Sequence, residues 1–215
     1  MSEILQQVKD AVISRQRAEI EGLVARAIDE GVDPTTIIDD GLIAAMDVIG
    51  QRFSDSEIFV PEMLVSALTM KMGLDVVKPL LKTDDAQSRG TIIMGTVKGD
   101  IHDIGKNIVI MMLEGAGFQV VDLGVDLTVE KLVEQIETIG PDLLGLSALL
   151  TTTMPEMRRT IQVLQEKGLR AKLKVMVGGA PVSAAFAKEI GADGYGADAA
   201  EAVELARRLM GQASG

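Results

Sequence analysis

The chain has 215 residues, 47% of them apolar and 25% charged, with a net charge of −11, one histidine and no cysteine. That length suits one ordinary domain plus a smaller one, and the acidic surplus in both halves argues against nucleic acid or an anionic membrane as partner, since each needs clustered Lys and Arg. Disulfides, thiolate zinc sites and iron–sulfur clusters are excluded, no run approaches the ~18 apolar residues of a membrane span, and the N-terminus lacks signal-peptide order, so a cytoplasmic protein is expected.

The first eighty or so residues read as helical. One helix is expected over residues 3–30, stopped at Gly31 as a C′ glycine. Asp33 before Pro34 is a cap followed by a first-turn proline, opening a helix through Ile37, Ile38, Leu42, Ile43, Met46 and Ile49. Val60-Pro61-Glu62 opens another, with Met63, Leu64, Ala67, Leu68, Met70 and Leu74 on its apolar side and an end near Pro79. The expected arrangement is a four-helix bundle or something close to it, over residues 1–82. Residues 83–90 are polar and aperiodic and read as a linker.

From Thr91 the pattern changes. Strands are expected at 91–97, 119–123, 143–147, 174–177 and 194–196, alternating with helices at 106–115, 129–139, 155–167, 183–190 and 199–210. Five βα units make residues 91–215 a parallel sheet covered on both faces, in the flavodoxin-like order 2-1-3-4-5. The expected fold class is therefore α/β, with an N-terminal helical bundle cap followed by a five-stranded, Rossmann-like parallel sheet. Aromatics are only 2% of the chain, and its twelve methionines help supply core bulk.

The one histidine, His102, lies in Gly99-Asp100-Ile101-His102-Asp103-Ile104-Gly105, at the carboxyl end of the first strand, where open α/β sheets bind ligands. A carboxylate two residues before an imidazole can hold the ring by Nδ1–H and leave Nε2 free for a metal. With no cysteine and no second histidine, most of that metal's ligands would come from outside the protein, and a metal inside a macrocycle meets the requirement. On position alone, a helix-capping role for His102 stands beside this reading.

Two more loops at the same end of the sheet carry signals. Ser147, Thr151, Thr152 and Thr153 put four hydroxyls after the third strand, of which ordinary capping of the next helix accounts for one. Gly178-Gly179 follows the fourth strand, where missing side chains admit a ligand close to backbone or simply a tight turn. In the order 2-1-3-4-5 these loops are neighbours lining one slot.

This combination resembles the cobalamin-binding domain family. The family's Asp-x-His-x-x-Gly matches at Asp100, His102 and Gly105, its Ser-x-Leu at Ser147 and Leu149, and its Gly-Gly at Gly178 and Gly179. The resemblance implies cobalamin or a related corrinoid as cofactor. His102 becomes the lower axial ligand of cobalt, Asp100 supports it, and Ile101, Asp103 and Ile104 belong to the same binding loop. Thr153 stands where the family often has serine in the relay to Asp100; Ser147, Thr151 and Ala199 match positions that contact the buried nucleotide tail. Together with the helical part, the chain is similar to small corrinoid methyl-carrier proteins of methylamine, methanol and O-demethylase systems, and its cobalamin-binding part to that module of methionine synthase.

The partners so implied are a substrate:corrinoid methyltransferase, a second methyltransferase passing the methyl group to a thiol or tetrahydrofolate, and a reductive activator. The chain itself would have no turnover alone. Phe53, Phe59, Met63 and Met70 are candidates to line the upper corrin face, and 82–90 is the expected hinge. A cobalamin-dependent sensor or regulator is the alternative; such proteins usually carry a basic DNA-binding output, and the N-terminal half here is acidic.

Overall fold

The computed structural model describes residues 2–80 and 89–211. These form two compact units, one helical and one α/β. The expected linker and hinge, apart from Arg89 and Gly90, lie outside the described residues.

In the helical unit the expected first helix is two. Helix α1 (Glu3–Ile13) ends and α2 (Ile20–Asp29) begins after a turn built on Arg15, whose φ is +62°. The Gln16 amide donates to the Ala11 carbonyl at 2.8 Å and the Arg15 amide to the Val12 carbonyl at 3.2 Å. That is the Schellman closure of a helix C-terminus, normally made with glycine at the left-handed position. The same closure follows α2, there with the expected Gly31 at φ +81°.

Asp33 caps as its sequence implies, accepting from the amides of Thr35 and Thr36. The helix it opens is not uniformly α: α3 (Pro34–Thr36) runs into a π segment (Ile37–Ile43) and then α4 (Ala44–Ser54). The wider turn brings residues five apart to one side, and Ile37 and Leu42, so spaced, are both fully buried. Gly41 within it lies so close to α1 that a Cβ would stand 3.2 Å from Val8 Cγ1. Helix α5 (Val60–Val77) opens with Glu62 accepting the Phe59 amide and ends in a 3-10 turn, Lys78–Leu80. Met63, Ala67, Met70, Gly73 and Val77 form its buried stripe, whereas Leu68, expected on that side, is exposed. Among the candidates for the upper corrin face, Met63 and Met70 are buried, Phe53 is half-buried and Phe59 is 68% exposed.

The α/β unit follows the expected plan. Strands β1 (Thr91–Thr96), β2 (Gln119–Asp122), β3 (Leu143–Ser147), β4 (Lys174–Gly178) and β5 (Gly194–Gly196) pair in parallel in the order 2-1-3-4-5. Helices α6 (Ile104–Gly115), α7 (Val129–Ile139), α8 (Met154–Glu166), α9 (Ala184–Ile190) and α10 (Ala199–Leu209) alternate with them. Ile93, Leu144, Leu146, Val175 and Val177 from the sheet pack with Leu132, Ile136, Met157, Ile161 and Leu164 from the helices. Burial on both faces is why the strands read as continuous apolar runs. At the carboxyl end the register aligns Thr96 with Ser147, Ser147 with Gly178, and Gly178 with Gly196. That row sets the loops after β1, β3 and β4 side by side. Among the described residues no helix is long and apolar enough to cross a membrane.

Candidate functional site

The centre of this end of the sheet is Asp100, fully buried in the β1–α6 loop. One carboxylate oxygen, Oδ1, lies 2.7 Å from His102 Nδ1 and accepts the His102 amide at 3.1 Å. The other, Oδ2, accepts the Leu149 amide at 2.8 Å, the Leu150 amide at 3.2 Å and the Thr153 hydroxyl at 2.8 Å. Burial pushes this carboxyl up, but the bonds from the Leu149 amide, the His102 ring and amide, and Thr153 outweigh it and hold it well below the usual carboxylate range. The carboxylate is therefore ionised and can only accept, so His102 Nδ1 carries the hydrogen of this bond and Nε2 is the ring nitrogen left outside it.

His102 is fixed through its backbone as well. Its carbonyl accepts the hydroxyl of Thr96 at 2.9 Å, and Thr96 is fully buried at the end of β1. The ring itself is 46% exposed. The same loop, and the β3–α8 loop whose amides bind Asp100, carry large aliphatic side chains that face solvent: Ile101 at 74% exposed, Ile104 at 78%, and less fully Leu149 and Leu150. An exposed imidazole on loops that also expose apolar side chains suits a ligand with a broad flat face and one coordinating centre.

The donor set agrees with this. Among the described residues no group of three or more His, Cys, Asp or Glu could hold a metal ion, so a metal at His102 would bring its remaining ligands with it. Gly105, on the first turn of α6, is exposed and has no other atom within 4 Å of where a Cβ would be. Nothing in the protein fills the space a side chain there would take.

The remaining predicted positions divide. Asp100, His102, Leu149 and Thr153 are joined in one hydrogen-bonded network, with Ile101, Asp103, Ile104 and Gly105 on the same loop and helix start. Ser147, half-buried, shares the register row with Gly178. Thr151, exposed, and Ala199, buried in the first turn of α10, stand outside the network. Thr153 corrects the account of the hydroxyl cluster: it occupies the cap position of α8 but makes no capping bond, and its hydroxyl turns to Asp100, with the Leu150 carbonyl 2.9 Å away as a second acceptor. Gly179 is required by the fold itself. Its φ is +124°, and a Cβ would stand 1.9 Å from the Ala148 carbonyl oxygen. The sequence reading missed the amides of Leu149 and Leu150 and the Thr96 hydroxyl; a threonine closing an apolar strand was the only cue to the last.

The chain matches two families described as B12 binding domains, one over residues 4–78 and the other over 90–204. It is 43% identical to dimethylamine corrinoid protein 1 of Methanosarcina acetivorans over 209 residues, which is 97% of this chain and 98% of that protein. It is 41% identical to a corrinoid protein of Desulfitobacterium hafniense strain Y51 over 212 residues, again 97% and 98%. Its fold is similar to a chain of the methanol:cobalamin methyltransferase complex from Methanosarcina barkeri, with a TM-score of 0.88 and 30% identity over 99% of this chain and 81% of that one. The chain therefore belongs to the corrinoid proteins, in which a helical B12-binding segment precedes an α/β B12-binding domain.

Proposed function

We propose that the protein carries a methyl group on a corrinoid between two methyltransferases, with His102 as the lower axial ligand of cobalt. The observation that carries this reading is the half-exposed His102 ring, held through Nδ1 by Asp100, on a loop that also exposes Ile101 and Ile104. When bound, the corrinoid cobalt supplies the atom that takes up and gives back the methyl group. Asp100 fixes the tautomer and orientation of His102, and Leu149, Leu150 and Thr153 hold Asp100 in its charged form. Ile101, Ile104 and Leu149 would offer apolar surface to the corrinoid, and Ser147, Thr151, Gly178 and Ala199 would border the slot for its tail.

In this reading the chain has no turnover alone and works in the cytoplasm. One partner loads the methyl group from a methylated amine or alcohol, a second removes it to a thiol or tetrahydrofolate, and a reductive activator restores oxidised cobalt. The test is to reconstitute the protein with hydroxocobalamin, reduce it, and add labelled dimethylamine or methanol with a purified cognate methyltransferase. Transfer of one label per protein, requiring both proteins, is the expected result. Transfer to free cobalamin as fast as to the protein would contradict the carrier role.

Two substitutions separate cofactor chemistry from folding. Asp100→Asn removes the charge that orients the ring, and the fraction of Co(II) protein with an axial nitrogen should fall about tenfold, with a shifted Co(II)/Co(I) potential. An unchanged potential and unchanged ligation would show that Asp100 is only a structural acceptor. Gly105→Ala meets no neighbour, so the melting temperature of the apoprotein should hold or rise slightly while corrinoid uptake falls, as calorimetry and gel filtration with cobalamin would show. Full uptake would mean the space at Gly105 is not the cofactor's.

A further inference from the structure

Outside the three signature loops, the loop between β2 and α7 grips the His102 loop on both sides. Beyond the histidine, Lys106 has its ammonium buried and paired with Asp122 at the end of β2, 2.6 Å away. Before it, Asp126 makes a two-way contact with two consecutive residues, Gly99 and Asp100. Its Oδ1 accepts the Gly99 amide at 2.7 Å, and its own amide donates to the Asp100 carbonyl at 2.9 Å. Leu127 next to it donates to the Thr96 carbonyl, and Gly124 accepts the Thr96 amide.

Asp126 holds this contact at φ +52°, one of three non-glycine residues among those described with positive φ. Aspartate is among the few side chains that tolerate the left-handed region, and such conformations persist where the surroundings demand them. Here the demand is geometric: the left-handed turn aims the Asp126 amide at the Asp100 carbonyl while the carboxylate meets the Gly99 amide. The residue pair so bracketed includes Asp100, which orients the His102 ring.

We propose that Asp126 is a positioning residue for His102, acting through the backbone of Gly99 and Asp100, and that the β2–α7 loop is a fourth component of the axial-ligand site. The inference rests on the reading of His102 as the cobalt ligand. Its action needs no contact with the corrinoid. With the Asp126 carboxylate gone, Gly99 loses its acceptor, the backbone of Gly99 and Asp100 moves more freely, and Asp100 no longer presents Oδ1 to the ring at one fixed angle.

Three variants divide the possibilities. Asp126→Gly keeps the left-handed backbone and removes the acceptor, Asp126→Ala loses both, and Asp126→Asn keeps an oxygen acceptor and tolerates the turn. In the apoprotein, hydrogen exchange at the His102 and Leu149 amides, both of which donate to Asp100, should speed up about fivefold in the Gly and Ala variants and stay near wild type in the Asn variant. After histidine labelling with nitrogen-15, reconstitution with cobalamin and reduction to Co(II), paramagnetic resonance should show the fraction with the two-line His102 splitting falling by a similar factor in Gly and Ala and restored in Asn. A Gly variant with wild-type exchange at His102 and wild-type ligation would overturn the proposal, even with a lowered melting temperature. Wild-type protein labelled with nitrogen-15 at histidine is the companion control. If its axial nitrogen keeps the three-line pattern of nitrogen-14, the ligand reading fails, and the exchange data alone decide whether Asp126 positions the loop.

Discussion

Replacing His102 with alanine is expected to remove the protein's nitrogen from cobalt and to weaken corrinoid retention by more than about tenfold, since loss even of a supporting residue in a metal site costs that much. The fold should survive. The ring is nearly half exposed, and Asp100 keeps the amides of His102, Leu149 and Leu150 and the Thr153 hydroxyl as donors. Unfolding of the apoprotein should therefore change by about 0.5 kcal/mol or less, as for an ordinary surface substitution. Gel filtration after incubation with hydroxocobalamin, alongside apoprotein melting, reads both effects. A large loss of apoprotein stability would instead mark His102 as a structural residue, in line with the capping role that its position alone allows.

The second large effect lies in the Gly-Gly turn and concerns folding. Gly179→Ala places a Cβ 1.9 Å from the Ala148 carbonyl oxygen at a backbone angle of φ +124°. The obstacle is main chain of the adjoining loop, so it cannot swing aside as a side-chain end would. Conformational strain and overpacking together should cost about 3 kcal/mol, a lowering of the melting temperature by about 10 °C for a chain of this size. The loss should appear equally with and without corrinoid. A normal melting temperature with impaired uptake would return Gly179 to the ligand-passage reading that the sequence suggested.

The α/β half was legible because a sheet buried on both faces needs unbroken apolar strands, and because the loops bearing chemistry fall at the strand ends by rule. Asp33 and Gly31 announced themselves through the chemistry of caps. Arg15 did not: a left-handed C′ position filled by arginine leaves no mark, so two helices read as one. The π segment was hidden for a related reason, since the i, i+5 pairing of Ile37 and Leu42 is lost among the i, i+4 spacings of an apolar helix.

In the site, the residues that touch through side chains were readable from spacing, as Asp100 and His102 were. The Leu149 and Leu150 amides were not, because a backbone donor has no residue type. Thr96 reaches the His102 carbonyl only because the loop after β1 folds over its strand end, and Asp126 lies beside Gly99 only through the pairing of β1 with β2.

The most direct test of the account uses the fact that the chain has a single histidine. Protein made with histidine labelled by nitrogen-15 carries the label at one residue, His102. After reconstitution with unlabelled cobalamin and reduction to Co(II), the axial nitrogen splitting in the paramagnetic resonance spectrum should change from the three-line pattern of nitrogen-14 to the two-line pattern of nitrogen-15. A three-line pattern in the labelled protein would mean that the cofactor keeps its own base on cobalt, and that His102 is not the ligand.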